Sequence, residues 1–170
     1  MQNRHPKPKK LRTDEQLPEQ EACDIEISIR DQTLTLRSGD KVLRNYPISS
    51  SRFGLGTQLG SRKTPLGQFR IAEKIGRDLP EGTVFRSRIP LSPEDPLPQT
   101  EDLITSRILW LDGMDSDNSN TKERYIYIHG TRHEDRIGGP DSHGCIRMRN
   151  ADVIELFDLV QEGTLVRIIK

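Results

Sequence analysis

From Asp24 onward, apolar and polar positions alternate with a period of two. Ile25, Ile27 and Ile29 are interleaved with Glu26, Ser28 and Arg30, the pattern of a strand with one buried face. Asp31-Gln32 interrupts it, and Thr33, Leu34, Thr35 and Leu36 resume the alternation. Ser38-Gly39-Asp40 marks a second turn before Val42, Leu43, Tyr46 and Ile48. Three short strands joined by tight turns predict an antiparallel meander. Further strands are expected over 68–74, 107–112, 124–129 and 165–169. Val153, Leu156, Phe157 and Val160 fall at helical spacing after Asn150-Ala151-Asp152, and Gly163 is placed to stop that helix. The expectation is a mainly β domain with one short helix and no internal repeat.

Three segments carry no such periodicity. Residues 1–22 hold three prolines, many charges and almost nothing apolar, and read as a flexible polar tail. That leaves 23–170 as one domain. Residues 49–68 form a Ser/Gly/Thr/Arg-rich loop. The stretch 76–106 is polar with five prolines, long enough to be a lid insertion or a passive surface loop. Its Arg77, Arg86 and Arg88 are placed either to meet substrate carboxylates or to be solvated.

Composition narrows the function classes. Lys plus Arg and Asp plus Glu are both 26, and so even a balance gives no footprint for nucleic acid. No apolar run approaches the ~20 residues of a membrane span, or the ~7–15 of a secretory signal core. On that basis the chain is expected in the cytoplasm, with the periplasm as the alternative if an export signal precedes it. Cys23 and Cys145 are the two cysteines, too few for a disulfide scaffold.

The chemistry is concentrated around Cys145. Its neighbours are polar and Gly-rich, which does not suit a core-filling cysteine. His143 lies two residues before it, and Gly144 permits a sharp backbone turn. His129 stands sixteen residues upstream at the end of a strand-like run, a firm platform for a base that activates a thiol. A zinc site from His129, His133, His143 and Cys145 is the competing reading, but the spacing matches no C-x2-C or H-E-x-x-H pattern. No metal or other cofactor is therefore expected. His5 lies in the tail, and Cys23 is assigned no role.

Ile128-His129-Gly130-Thr131 followed by Ser142-His143-Gly144-Cys145-Ile146-Arg147-Met148 resembles the signature of the L,D-transpeptidase (YkuD-type) catalytic domain. Thr64-Pro65, with Gly67 and Phe69, resembles a second segment of that family. The resemblance implies a β-sandwich-like fold acting on peptidoglycan stem peptides or muropeptides. It makes Cys145 the nucleophile that cleaves the diamino acid–D-Ala bond through a thioester, and His129 the base. The carbonyl of Gly130 would orient the imidazole, where relatives often have Ser. Backbone N–H groups of His143, Gly144 and Cys145 would form the oxyanion hole. His143 would shape the pocket, Ser142 would steady the loop at its substrate side, and Arg147 would anchor substrate or loop. A cytoplasmic member would use water as acceptor and be an L,D-carboxypeptidase of peptidoglycan recycling. The alternatives are an exported transpeptidase making 3–3 cross-links and a non-catalytic wall-binding module. Acylation by carbapenems is also implied.

Overall fold

The computed structural model describes residues 22–170, so the tail reading for the N-terminus lies almost wholly outside the described residues. Ten strands join in one sheet: β1 (Cys23–Ser28), β2 (Thr33–Ser38), β3 (Lys41–Pro47), β4 (Gly67–Ile75), β5 (Val84–Arg86), β6 (Ile89–Pro90), β7 (Ile104–Gly113), β8 (Tyr127–Gly130), β9 (Ile146–Met148) and β10 (Leu165–Ile169). The predicted meander β1–β2–β3 is present, paired antiparallel throughout. β10 returns parallel to β1 and antiparallel to β4, and β4 pairs with β7. β7 is shared on both sides: β4 and β5 take one edge, and β8 with β9 beyond it takes the other. The sheet then curls until Ser49, just past β3, bridges Arg147 of β9. This is the mainly β, sandwich-like fold that the sequence predicts.

The core follows from the alternation. Ile25 and Ile27, Leu34 and Leu36, Phe69 and Ile71, Leu109 and Leu111, and Val166 and Ile168 all point into one apolar cluster. The helix α1 (Asn150–Leu159) adds Val153, Leu156 and Phe157 to it and packs on β7 and β8. It ends at Leu159 rather than running to Gly163. Val160 is already extended, Lys74 Nζ donates to its carbonyl at 2.6 Å, and Gly163 serves the following turn at φ +91°.

Two expectations need correction. Strand β8 begins at Tyr127, because Arg124 and Tyr125 lie in a turn with Tyr125 at φ +56°. The 76–106 stretch is not structureless, since it contains the β5–β6 hairpin docked on the start of β7. In β7 itself the register jumps between Thr105 and Ile108 opposite β8. The bulge turns the Thr105 and Ser106 hydroxyls onto Asn150 Oδ1, both at 2.6 Å. This ties β7 to the first residue of α1.

Candidate active site

Strands β8 and β9 place the reactive groups by their pleat. Their parallel register pairs Ile128 with Ile146 and His129 with Arg147, and paired residues on parallel strands share a face. Ile126, Ile128, Ile146 and Met148 therefore enter the main core. Tyr127, His129, Cys145 and Arg147 occupy the opposite face. A slip of one residue would exchange the two sets. Cys145, just before β9, sits beside Tyr127, and His129 is its diagonal neighbour, at the roughly 7–8 Å backbone spacing that side chains span across a sheet.

The sulfur is held by backbone on both sides. Tyr127 N–H donates to Cys145 Sγ at 3.3 Å, and the S–H donates to the Tyr125 carbonyl at 3.3 Å. The left-handed turn at Tyr125 aims that carbonyl at the thiol. Burial pushes the Cys145 pKa up to about 12, and Asp102 adds to the rise. The Tyr127 N–H and the charges of Arg147 and Arg124 offset part of it. His129 is buried, and its Nδ1 lies 2.6 Å from the Gly130 carbonyl oxygen. A carbonyl only accepts, so Nδ1 carries the hydrogen and Nε2 is left to take a proton. Burial lowers the His129 pKa, opposed by the Asp102 charge and the Gly130 hydrogen bond, with Arg147 lowering it further.

Both shifts favour a neutral thiol and a neutral imidazole over a thiolate–imidazolium pair. A pH consequence follows. The profile of kcat/KM should rise with an acid-limb midpoint below the ordinary histidine value of 6.5 and stay flat through the mildly alkaline range. An alkaline fall near about 8–9, the range of an ordinary thiol, would contradict this assignment.

Residues around the pair fix its geometry. A Cβ on Gly130 would lie 2.5 Å from Asn150 Oδ1 and 2.6 Å from the Thr105 carbonyl oxygen. The serine often found in relatives is excluded here by packing. Gly144 sits at φ +124°, and its carbonyl accepts the Thr64 hydroxyl at 2.9 Å. The N–H of Gly144 points to Ser142 Oγ at 3.2 Å. It is therefore engaged within the loop, which corrects its expected place as an open oxyanion donor. Ser142 is fully buried, and its hydroxyl donates to the Cys145 carbonyl at 2.5 Å. It braces the loop and has no surface to offer substrate. His143 packs its ring against Phe53, 5.8 Å between centroids, at the half-exposed rim of the site. His133 is not with the other imidazoles, since its Nε2 meets the Glu101 carbonyl at 2.9 Å. Among the described residues no group of three or more His, Cys, Asp or Glu is placed to hold a metal ion.

Of the two roles expected for Arg147, the structure favours the loop anchor over the substrate contact. Its side chain is 2% exposed, with Nε 2.8 Å from Asp102 Oδ1 and Nη1 on Asp141 Oδ2. The first contact is an ion pair rather than a directional hydrogen bond, because the N–H is not aimed at the oxygen. With both partners fixed, Arg147 anchors the loop and makes no substrate contact. Asp102 had no sequence signal: it is one acid at the end of a polar stretch. Burial pushes its pKa up, yet His129 when protonated and Arg147 hold it below the usual carboxylate value. Its negative charge is placed to stabilise a protonated His129. Thr64 and Arg124 complete the support, the latter donating to the carbonyls of Gly56 at 3.1 Å and Lys63 at 2.7 Å.

A thiol and a buried, backbone-oriented imidazole thus share one face of adjacent strands in a β-sandwich. Residues 24–168 match the family model of the L,D-transpeptidase catalytic domain (YkuD), and the chain belongs to this family. It is 33% identical over 144 residues to a putative L,D-transpeptidase YkuD of Bacillus subtilis, covering 85% of this chain and 64% of that protein. A Bacillus licheniformis protein of the same name is 31% identical with the same coverage. The chain thus spans less than two-thirds of the length of either relative. Among solved structures, an L,D-transpeptidase from Mycobacterium smegmatis aligns with a TM-score of 0.57 at 20% identity, over 88% of this chain and 59% of that one. LdtMt1 in complex with imipenem aligns with a TM-score of 0.57 at 23% identity, over 87% and 59%. At these identities the two structures share the fold with this chain.

Proposed function

We propose that this protein transfers acyl groups from peptidoglycan stem tetrapeptides through a thioester on Cys145. The observation that carries the reading is the sulfur held between Tyr127 N–H and Tyr125 C=O, diagonal to a His129 whose Nε2 is left open. In the first half-reaction Sγ attacks the carbonyl joining the diamino acid to D-Ala while its proton passes to His129 Nε2. The developing oxyanion is met by the backbone N–H groups of His143 and Cys145, each such donor contributing about 10²–10³ in rate. Collapse breaks the C–N bond, His129 returns the proton to the leaving amine, and D-alanine departs. In the second half an acceptor gives its proton to His129, attacks the thioester and releases the thiol.

Water is our proposed acceptor, which makes the protein an L,D-carboxypeptidase, and we place it in the cytoplasm acting on recovered muropeptides. Cys145 is only partly buried, which supports water as acceptor because a thioester that keeps some contact with solvent is open to hydrolysis. The names of its relatives favour a second reading, in which an amine of a neighbouring stem is the acceptor, the product is a 3–3 cross-link and the site of action is the envelope. Mass spectrometry of products from a disaccharide-tetrapeptide separates them. Tripeptide with free D-alanine supports hydrolysis, and cross-linked dimers overturn it in favour of transpeptidation. If neither forms, the acyl-transfer reading itself fails.

The same nucleophile should open a β-lactam ring. Incubation with imipenem is expected to raise the intact mass of the chain by one drug molecule, located on Cys145 and absent in Cys145→Ala. An unmodified wild-type protein would count against thiol reactivity at this site.

A further inference from the structure

The hairpin β5–β6 pairs Phe85 with Pro90 and Arg86 with Ile89, so its turn is the two residues Ser87 and Arg88. Both have positive φ, +48° and +67°. Two-residue turns of this hand are built from Asn-Gly or similar pairs, and a Ser-Arg pair in one is strained. Such strain persists where the surroundings over-determine it, and it is found at ligand-holding sites. Here the surroundings are explicit. The Arg88 guanidinium carbon lies 4.5 Å from the Trp110 ring centroid and 5.1 Å from that of Tyr125. Its Nη1 donates to the Tyr127 hydroxyl at 3.1 Å. The rings brace one another, Trp110 to Tyr127 edge-on at 5.7 Å and Trp110 to Tyr125 at 5.9 Å.

The two tyrosines that meet Arg88, Tyr125 with its ring and Tyr127 with its hydroxyl, are the same two whose backbones clamp Cys145 Sγ. Phe85, Tyr127, Trp110 and Cys145 belong to one packed cluster. The strained turn therefore places a cation against the residues that hold the nucleophile. The other arginines of this stretch are engaged elsewhere: Arg86 donates to the Pro96 carbonyl, and Arg77 lies over Phe157. Among the described residues Arg88 forms no ion pair. A fixed, planar guanidinium on an aromatic bed presents its remaining N–H groups as a fork, which suits a carboxylate.

We propose that Arg88, held on the Trp110–Tyr125–Tyr127 platform, receives the C-terminal carboxylate of the acyl-donor peptide. The inference rests on the acyl-transfer reading and names what selects its substrate. In that reaction the leaving group is a single residue, so its carboxylate lies only about 3.8 Å, one residue's length, beyond the attacked bond. A receptor resting on the residues that hold Cys145 suits a carboxylate so near the attacked bond, and it selects peptides whose attacked bond is one residue from a free end. Sugar stacking fits less well, because Lys122 at 5.1 Å joins Arg88 in covering the Trp110 ring with cations.

The test compares tetrapeptide donors ending in a carboxylate and in a carboxamide, with wild type, Arg88→Asn and Arg88→Lys. Asparagine tolerates the left-handed turn while removing the charge. Wild type is expected to favour the acid at least about tenfold in kcat/KM, the size of one charge-assisted hydrogen bond partly open to water. Arg88→Asn should lose that preference, chiefly through KM, so that its acid-to-amide ratio falls toward one. Arg88→Lys should keep part of it. An acid-to-amide ratio unchanged in Arg88→Asn overturns the proposal, as does an equal loss on both donors, which would mark a structural or sugar-stacking role. Should wild type turn over neither donor, the acyl-transfer reading falls, and binding to Cys145→Ala still decides this one. Trp110 is the chain's one tryptophan, so its fluorescence reports the site directly. Tighter binding of the acid, lost in Cys145→Ala/Arg88→Asn, sustains the carboxylate site; equal binding of both peptides ends it.

Discussion

Cys145→Ala is expected to lower turnover of a tetrapeptide donor by at least about 10⁴-fold, since removing a covalent nucleophile leaves only binding and the oxyanion donors to act. The fold should survive the change. Cys145 is half-buried and its hydrogen bonds are to backbone groups of Tyr125 and Tyr127, so no charge is stranded. Equal thermal midpoints for variant and wild type, alongside the lost activity, are the expected pair of results. Cys145→Ser is expected to be nearly as inactive. A hydroxyl is harder to ionise than a thiol, and the buried site that already pushes the thiol up to about 12 would hold a serine neutral more firmly still. Retention of more than a few per cent of activity by either variant would move the nucleophile elsewhere.

The second large effect is on stability. Arg147→Met removes the cation shared by Asp102 and Asp141, and Asp102 is then left buried without its partner. Breaking a buried ion pair in this way costs about 3–5 kcal/mol, which for a domain of this size lowers Tm by roughly 10 °C. The pH dependence gives the sign. In wild type the Asp102 pKa is lowered from its ordinary 3.8, so its contribution is present above that value and is lost as pH falls through the lower folded one. In Arg147→Met the hydrogen bond and charge of Arg147 no longer hold the carboxyl down, so its pKa rises relative to wild type and the deficit should be largest at neutral pH and shrink on acidification. Chemical denaturation at neutral pH and at about pH 4 checks both parts. A deficit independent of pH would mean that Arg147 acts by packing alone.

Much of this arrangement is legible in the amino-acid sequence, for reasons that are local. Strands β1, β4 and β10 announce themselves because one face is more buried than the other, and α1 does so through Val153, Leu156 and Phe157. The Ser142–Cys145 segment is legible because a tight loop carrying a thiol and an imidazole needs its glycine at that position. What escapes is long-range or unconventional. The turn at Ser87-Arg88 carries neither Gly nor Asn, so the β5–β6 hairpin hides inside a polar stretch. Alternation at Tyr125 and Ile126 extends a strand pattern into a turn whose left-handed Tyr125 only the thiol contact explains. Asp102 reaches Arg147 across 45 residues of chain, and no composition signal marks one acid among many. Ser142 and Arg147 sit in the signature, yet the sequence alone does not reveal that both are buried and face the loop rather than the substrate. Thr64 belongs to the Thr64-Pro65 segment that the resemblance singles out. Its bond to the Gly144 carbonyl shows why that segment stays near the thiol.

The central claim is that acyl transfer passes through a covalent thioester on Cys145. Acid-quenching wild-type protein milliseconds to seconds after mixing with disaccharide-tetrapeptide, then measuring intact and peptide masses, tests it most directly. The expected result is a mass increase equal to the donor minus D-alanine, located on the peptide that contains Cys145 and removed by hydroxylamine. Release of D-alanine with no adduct at any quench time, and no accumulation in a slow-deacylating donor, would contradict it.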